Sequence, residues 1–332
     1  MNRIATALCT LAAGFTLALP NPSQAQTQSS QAQTWPQRTV RFILPLGPGA
    51  GVDITSRLLA ERLQAKWDQT VVIENKPGGD GMLAIGAFTG AHDDHVLLYS
   101  PTSSFTAHPF QHEKLPYDPR DLSPVARVSK TLLGFAVQGS SIIGSVADFM
   151  AQVRAQPGKL NYTTATGVTD VIFDGYFKSA GLSITRVPYR DVVTPLTDLG
   201  EGRIQAYIGA LAIEQPHLQS GRAKLIAITN TERATAAPGI PTVAEAGFPE
   251  LNFDGLTGLF GPRDMPNEVR ARIAADIRAA MADPVIVSRL IATGQVVSPG
   301  GAAELAASID EQSAKLAAIA KMLGIKQAQE PR

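Results

Sequence analysis

Short runs of Val, Ile, Leu and Phe alternate along this chain with stretches whose apolar residues recur every three or four positions, a pattern that predicts strands joined by helices. Residues 39–44, 71–74 and 96–99 read as strands, with helices over 51–66 and 81–88 between them. Pro101, Pro109, Pro116, Pro119 and Pro124 then make a stretch too proline-dense for regular structure, and a boundary is expected near its end. A second series follows, with strands at 132–137, 160–163, 184–187, 204–208 and 225–228 and helices at 146–155, 171–180, 193–199 and 213–219. After the turn-rich segment 238–253, residues 257–260 read as a returning strand, and Ala-rich helices over 267–281 and 302–322 close the chain. Pro266 and Asn267 mark a helix start, and Asp283-Pro284 its stop. Strand-helix repetition of this kind predicts an α/β fold of two parallel-sheet-based lobes, 36–131 plus 256–332 and 132–255, with a ligand cleft between them.

The N-terminus follows a different pattern. Arg3, an apolar run over 4–19, Pro20 and Pro22, and then Ser23-Gln24-Ala25 read as a signal peptide over 1–25, so the mature chain is expected to start at Gln26 in the periplasm. The run is shorter than the roughly 20 residues that span a bilayer. Cys9, the single cysteine of the 332 residues, lies in the removed segment and follows Leu8 rather than a small residue, so neither a disulfide nor a lipid anchor is expected. Residues 26–35 read as a flexible leader. Lys plus Arg and Asp plus Glu both number 29, which leaves no net field for nucleic acid or an anionic membrane surface.

Candidate chemistry gathers at strand-to-helix turns. Pro45-Leu46-Gly47-Pro48-Gly49-Ala50-Gly51-Val52-Asp53 joins the first strand to the first helix, where glycines let backbone N–H groups converge on an anion at a helix start. The alternative is a tight turn with Asp53 capping the helix. Thr163-Thr164-Ala165-Thr166-Gly167-Val168-Thr169-Asp170 holds the equivalent place in the second series, offering N–H and O–H donors or ordinary caps. Thr102 and Ser103 stand beyond the third strand, at the usual ligand edge of a parallel sheet. His92 and His95, or His108 and His112, have metal-like spacing, but turn residues and Pro109 break the helices a site would need, so no metal is expected. Neither Gly-x-Ser-x-Gly nor His-Glu-x-x-His occurs, and a binding protein without cofactor is expected rather than an enzyme.

Taken in order, Trp35-Pro36-x-Arg38, Ile43 to Asp53, Val71 to Gly79, Leu115-Pro116-Tyr117-Asp118, Pro157 to Tyr162, Val187-Pro188-Tyr189-Arg190, Asp198-Leu199 and Pro241 to Gly247 form an ordered set of motifs. This set resembles the tripartite tricarboxylate transporter substrate-binding proteins, the Bug or TctC family, over essentially the whole mature chain. The resemblance implies a type II periplasmic-binding-protein fold, a monomer closing by a hinge on a small carboxylate, and delivery to the membrane subunits of a tripartite transporter. The turns, the resemblance and the departures from it together lead us to expect ligand contacts at Leu46, Gly47, Gly49, Ala50, Asp53, Thr102, Ser103, Thr164, Ala165, Thr166, Gly167, Val168, Thr169, Phe173, Tyr189 and Gly209. The chain departs from the family pattern at Ala50, Val52, Val171, Asp191, Gly209 and Leu256, and its second loop is one residue shorter. Those changes lead us to expect a roomier, more apolar pocket and an aromatic carboxylate such as terephthalate, packed on Phe105, Phe173 and Tyr189. A periplasmic sensor and a periplasmic hydrolase are the rival functions.

Overall fold

The computed structural model describes residues 35–165, 167–189, 191 and 193–328. The signal peptide and nearly all of the leader lie outside them, as does Thr166.

The six-stranded sheet begins with Val-Arg-Phe-Ile-Leu of β1 (Val40–Leu44), which is buried except at Arg41. It lies parallel between β2 (Val71–Asn75) and β3 (Val96–Pro101). β3 is apolar and buried from Val96 to Tyr99, as a strand covered on both faces must be. Helix α1 (Gly51–Trp67) and α2 (Met82–Thr89) cross between these strands, and short α3 (Ser103–Thr106) and α4 (His108–Gln111) follow β3. The other strands are antiparallel: β4 (Ser123–Thr131) pairs with β10 (Gly255–Gly261) and β11 (Gln295–Gly300), and β10 also pairs with β3. The sheet order is therefore β11-β4-β10-β3-β1-β2.

A single residue, Leu132, separates β4 from β5 (Leu133–Gln138), which opens the five-stranded sheet. That sheet adds β6 (Asn161–Thr164), β7 (Thr185–Arg186), β8 (Ala206–Ala210) and β9 (Ala223–Ile228), in the order β7-β6-β8-β5-β9. β6 runs parallel to β7 and β8, whereas β5 runs antiparallel to β8 and β9. Both sheets are thus mixed rather than purely parallel, because β4, β5 and β10 belong to the crossings between sheets. Helices α5 (Val146–Ala155), α6 (Gly167–Ser179), α7 (Thr194–Gly200) and α8 (Leu211–Gln219) complete this half.

The chain's last helices are α9 (Asn267–Met281), α10 (Pro284–Ala292) and α11 (Ala302–Leu323). Val269, Ile273, Ile277 and Met281 of α9 share one face at a spacing of four and are all buried. α10 and β11 were not anticipated. Asp283-Pro284 does stop α9, yet the Asp283 side chain also accepts the Val285 N–H at 2.8 Å with Pro284 in the first helical position, so the same pair starts α10. β11 contains Pro299, which an edge strand tolerates.

The crossings are pinned by polar groups. Asn230 Oδ1 accepts the Leu133 N–H at 2.9 Å while its Nδ2 donates to the Thr131 carbonyl at 3.0 Å and to Asp254 Oδ1 at 3.1 Å. Lys130 pairs with Asp254 at 2.8 Å. Helix α11 bridges both halves, since Leu305 sits in a core beside Phe105 and Phe260, and Leu316 in the core of Phe135, Phe173 and Phe177.

Candidate functional site

A cleft of about 230 Å³ opens between the two sheets at the strand-to-helix turns. The first half supplies Pro45, Leu46 and Gly47 from the β1–α1 turn, Pro77, Gly78, Asp80 and Gly81 from the β2–α2 turn, and Pro101, Ser103 and Ser104 from the end of β3 and α3. The second half supplies Ala165 and Gly167 from the β6–α6 turn. α3 and α6 pack against each other beside it.

The β1–α1 turn is held open by an internal anion. Asp53, 2% exposed, accepts the Gly49 N–H at 2.9 Å, Arg57 at 2.9 Å and Asn75 Nδ2 at 3.0 Å. Burial pushes its pKa up, yet the Arg57, Gly49 and Asn75 contacts together hold it below the ordinary carboxylate range. Asn75 also reaches the Leu46 carbonyl at 2.8 Å, tying β2 to the turn. Asp53 is therefore a brace, because its oxygens and the Gly49 N–H satisfy each other. Gly49, with φ +85, is exposed outside the cleft lining, and Ala50 is the α1 N-cap residue.

In the β6–α6 turn the Ala165 N–H donates to the Ile208 carbonyl at 2.8 Å, so Ala165 presents its side chain rather than its amide. The Thr164 hydroxyl donates to Asp170. Val168 and Thr169 are buried, at 0% and 1% exposure, as the first turn of α6 enters the core. Gly167 reaches the cleft wall and faces Gln111 of α4, whose amide would lie 1.9 Å from any Cβ there. Asp170 pairs with Arg186 at 2.9 Å. Burial, with the like charges of Asp174 and Asp80, pushes its pKa up to about 6 against the pull of Thr164 and Arg186.

Several expected contacts point elsewhere. Thr102 is buried, with its hydroxyl donating to Gln312 Oε1 at 2.7 Å and its N–H to the Leu256 carbonyl at 2.9 Å, which makes it a link to α11. Phe173 is fully buried against Phe135, with ring centroids 5.5 Å apart, and Phe105 packs on Phe260 at 5.1 Å. Both rings are core, Phe173 on the buried face of α6 and Phe105 packed into the cluster of Phe260 and Leu305. The Tyr189 hydroxyl donates to Asp198 at 2.5 Å. Gly209 is buried inside β8, where a Cβ would lie 2.4 Å from the Tyr207 ring. Asp191 caps α7, accepting the Thr194 N–H at 2.7 Å, and Leu256 is buried in β10.

Conversely, the glycine turn Pro77 to Gly81 lines the cleft without having been singled out as a site. A Pro-Gly-Gly-Asp-Gly run directly after a strand was the visible sign.

A larger hollow of about 610 Å³ lies on another face, lined by Arg38, Asp93, Asp94, Arg263 and Asp264 among others. Its arginines are already paired within it, Arg38 with Asp93 at 2.7 Å and Arg263 with Asp121 at 3.0 Å. Asp93, Asp94 and His95 come close enough together to share an ion. However, His95 Nε2 accepts the Gln37 N–H at 3.1 Å and Nδ1 bonds Asp94 at 2.6 Å, which leaves the imidazole no lone pair to give.

Known proteins with this sequence pattern and shape are consistent with a binding cleft. The profile of the family described as tripartite tricarboxylate transporter family receptor matches residues 55–325. A UPF0065 protein of Bordetella bronchiseptica is 30% identical over 300 residues, covering 90% of this chain and 89% of its own. A solved structure described as a periplasmic transporter superposes with a TM-score of 0.77 at 28% identity, covering 88% of this chain and 99% of its own. R. palustris Rpa4515, solved with adipate, superposes with a TM-score of 0.77 at 26% identity and the same coverage.

Proposed function

The chain belongs to the tripartite tricarboxylate transporter receptor family, and from that premise we propose that it captures a small carboxylate in the cleft between two lobes and releases it unchanged to a membrane partner. The lobes are residues 36–131 with 256–332, and residues 132–255. The observation that carries this reading is a cleft whose walls come from strand-to-helix turns of both sheets, Leu46 and Gly47 facing Ala165 and Gly167. A ligand touching both walls bridges them, so closure and binding are one equilibrium. Adipate in Rpa4515 supports a carboxylate as the guest.

No helix among the described residues is long and apolar enough to cross a membrane. Export by the signal peptide over 1–25 and delivery to the membrane subunits of a tripartite transporter complete the proposal. An aromatic carboxylate would have to rest on Leu46 and on Pro45, Pro77 and Pro101, since Phe105 and Phe173 are committed to the cores. The test is calorimetry and thermal shift of the mature protein with adipate, citrate, benzoate and terephthalate. Micromolar or tighter binding of at least one acid, with a raised melting point, is expected. Failure of every acid would overturn the reading, and tight terephthalate with weak adipate would establish the aromatic class.

A further inference from the structure

The cleft carries a negative charge of its own. Among the described residues Asp80 is the ionisable one in its lining, and its side chain is 52% exposed. The turn is shaped to hold it there. Gly78, Gly79, Asp80 and Gly81 all have positive φ, at 120, 57, 54 and 91 degrees. Asp80 adopts the left-handed conformation that aspartate and asparagine reach at less cost than other side chains.

Its main chain is gripped from behind. His108 Nε2 lies 2.9 Å from the Asp80 carbonyl, which can only accept, so Nε2 bears the proton and Nδ1 accepts from the Tyr117 hydroxyl at 2.7 Å. Burial lowers the His108 pKa, and the neutral ring positions Asp80 without balancing its carboxylate 3.8 Å away. Asp170, in the first turn of α6, feels the Asp80 charge but is itself paired with Arg186 at 2.9 Å. Among the described residues no Lys or Arg pairs with Asp80, since its ion-pair neighbour is His108.

An anion site bordered by an unbalanced carboxylate repels a second anionic group and attracts a cationic one. Resting on the reading of the cleft as a carboxylate site, we infer that its preferred ligand is a zwitterion, with one carboxylate toward the Gly47 and Gly167 turns and an ammonium toward Asp80. A dicarboxylate of equal length places its second charge against Asp80 and binds less well.

Paired ligands of matched length test this: 4-aminobutyrate with succinate, and 6-aminohexanoate with adipate, titrated calorimetrically into the mature protein. At least one amino acid is expected to bind about tenfold or more tightly than its dicarboxylate partner, the scale of one charge-assisted contact. Asp80→Asn should reduce that ratio by about the same factor. Asp80→Gly, which suits the left-handed backbone without strain, should do likewise and guards against a folding artefact. A ratio unchanged in both variants, or dicarboxylates preferred by the unaltered protein, would overturn the zwitterion and leave the carboxylate reading standing. If no acid of either series bound, and none in the wider carboxylate screen, both would fall.

Discussion

Asp53 and Asp170 occupy corresponding places, each in the first turn of a helix that follows a strand, and yet their chemistry differs. Asp53 is surrounded by Arg57, Asn75 and the Gly49 N–H, which hold it ionised. Asp170 has Arg186 and the Thr164 hydroxyl on one side, but burial and the charges of Asp174 and Asp80 outweigh them. With a folded pKa of about 6 against an ordinary 3.8, Asp170 binds more proton when folded. Its contribution to stability is therefore complete below about pH 4 and is lost as pH rises through about 6. Chemical denaturation of Asp170→Asn between pH 4 and 7 should show a flatter dependence than the unaltered protein; parallel curves would refute the assignment. The Asp53 brace was one of the two readings of its loop, since Gly49 and Arg57 are near in sequence, whereas the Asp170 environment was not legible because Arg186 and Asp80 lie far from it along the chain.

Among the elements, those with regular apolar spacing were read nearly to the residue, α5 and α9 above all. Those that depend on neighbours were not. β4 starts inside the proline-rich stretch because Pro124 lies one residue from the strand's beginning, near a register shift in its pairing with β10. β11 is a short edge strand with little apolar pattern. The β2–α2 turn is the element that the cleft depends on most. At Gly81, with φ +91, a Cβ would lie 3.2 Å from Ser104 Cβ and 3.3 Å from Pro45 Cβ, both on the cleft wall. Gly81→Ala should cost about 1–3 kcal/mol through backbone strain and weaken ligand binding as those walls shift. A melting curve and a titration on the same preparation check it, and unchanged affinity would mean that the turn does not shape the site.

At the scale of the molecule, two sheets are joined by crossings at Leu132 and before Gly255, and α11 spans them. Gln312 sits midway along it, accepting from Thr102 and donating to the Asp254 carbonyl at 2.9 Å, so one helix monitors both halves. Leu316→Ala should cost about 2–5 kcal/mol and speed amide exchange in α6 more than in α9, as the second half loses its strap. Equal exchange in both helices would argue against a bridging role. The order of residues by itself determined the alternation of strands and helices, the two series and the glycine-rich turns between them, because those depend on spacings of two to four positions and on backbone freedom. Only the tertiary structure decided which turn groups stay available to a guest. The Ala165 amide is spent on Ile208, the Thr102 hydroxyl on Gln312, and Phe173 on the core, whereas Asp80 is left facing the cleft. A hydrogen-bond donor or a ring is used up by whatever packs against it, and here those partners stand tens to hundreds of residues away.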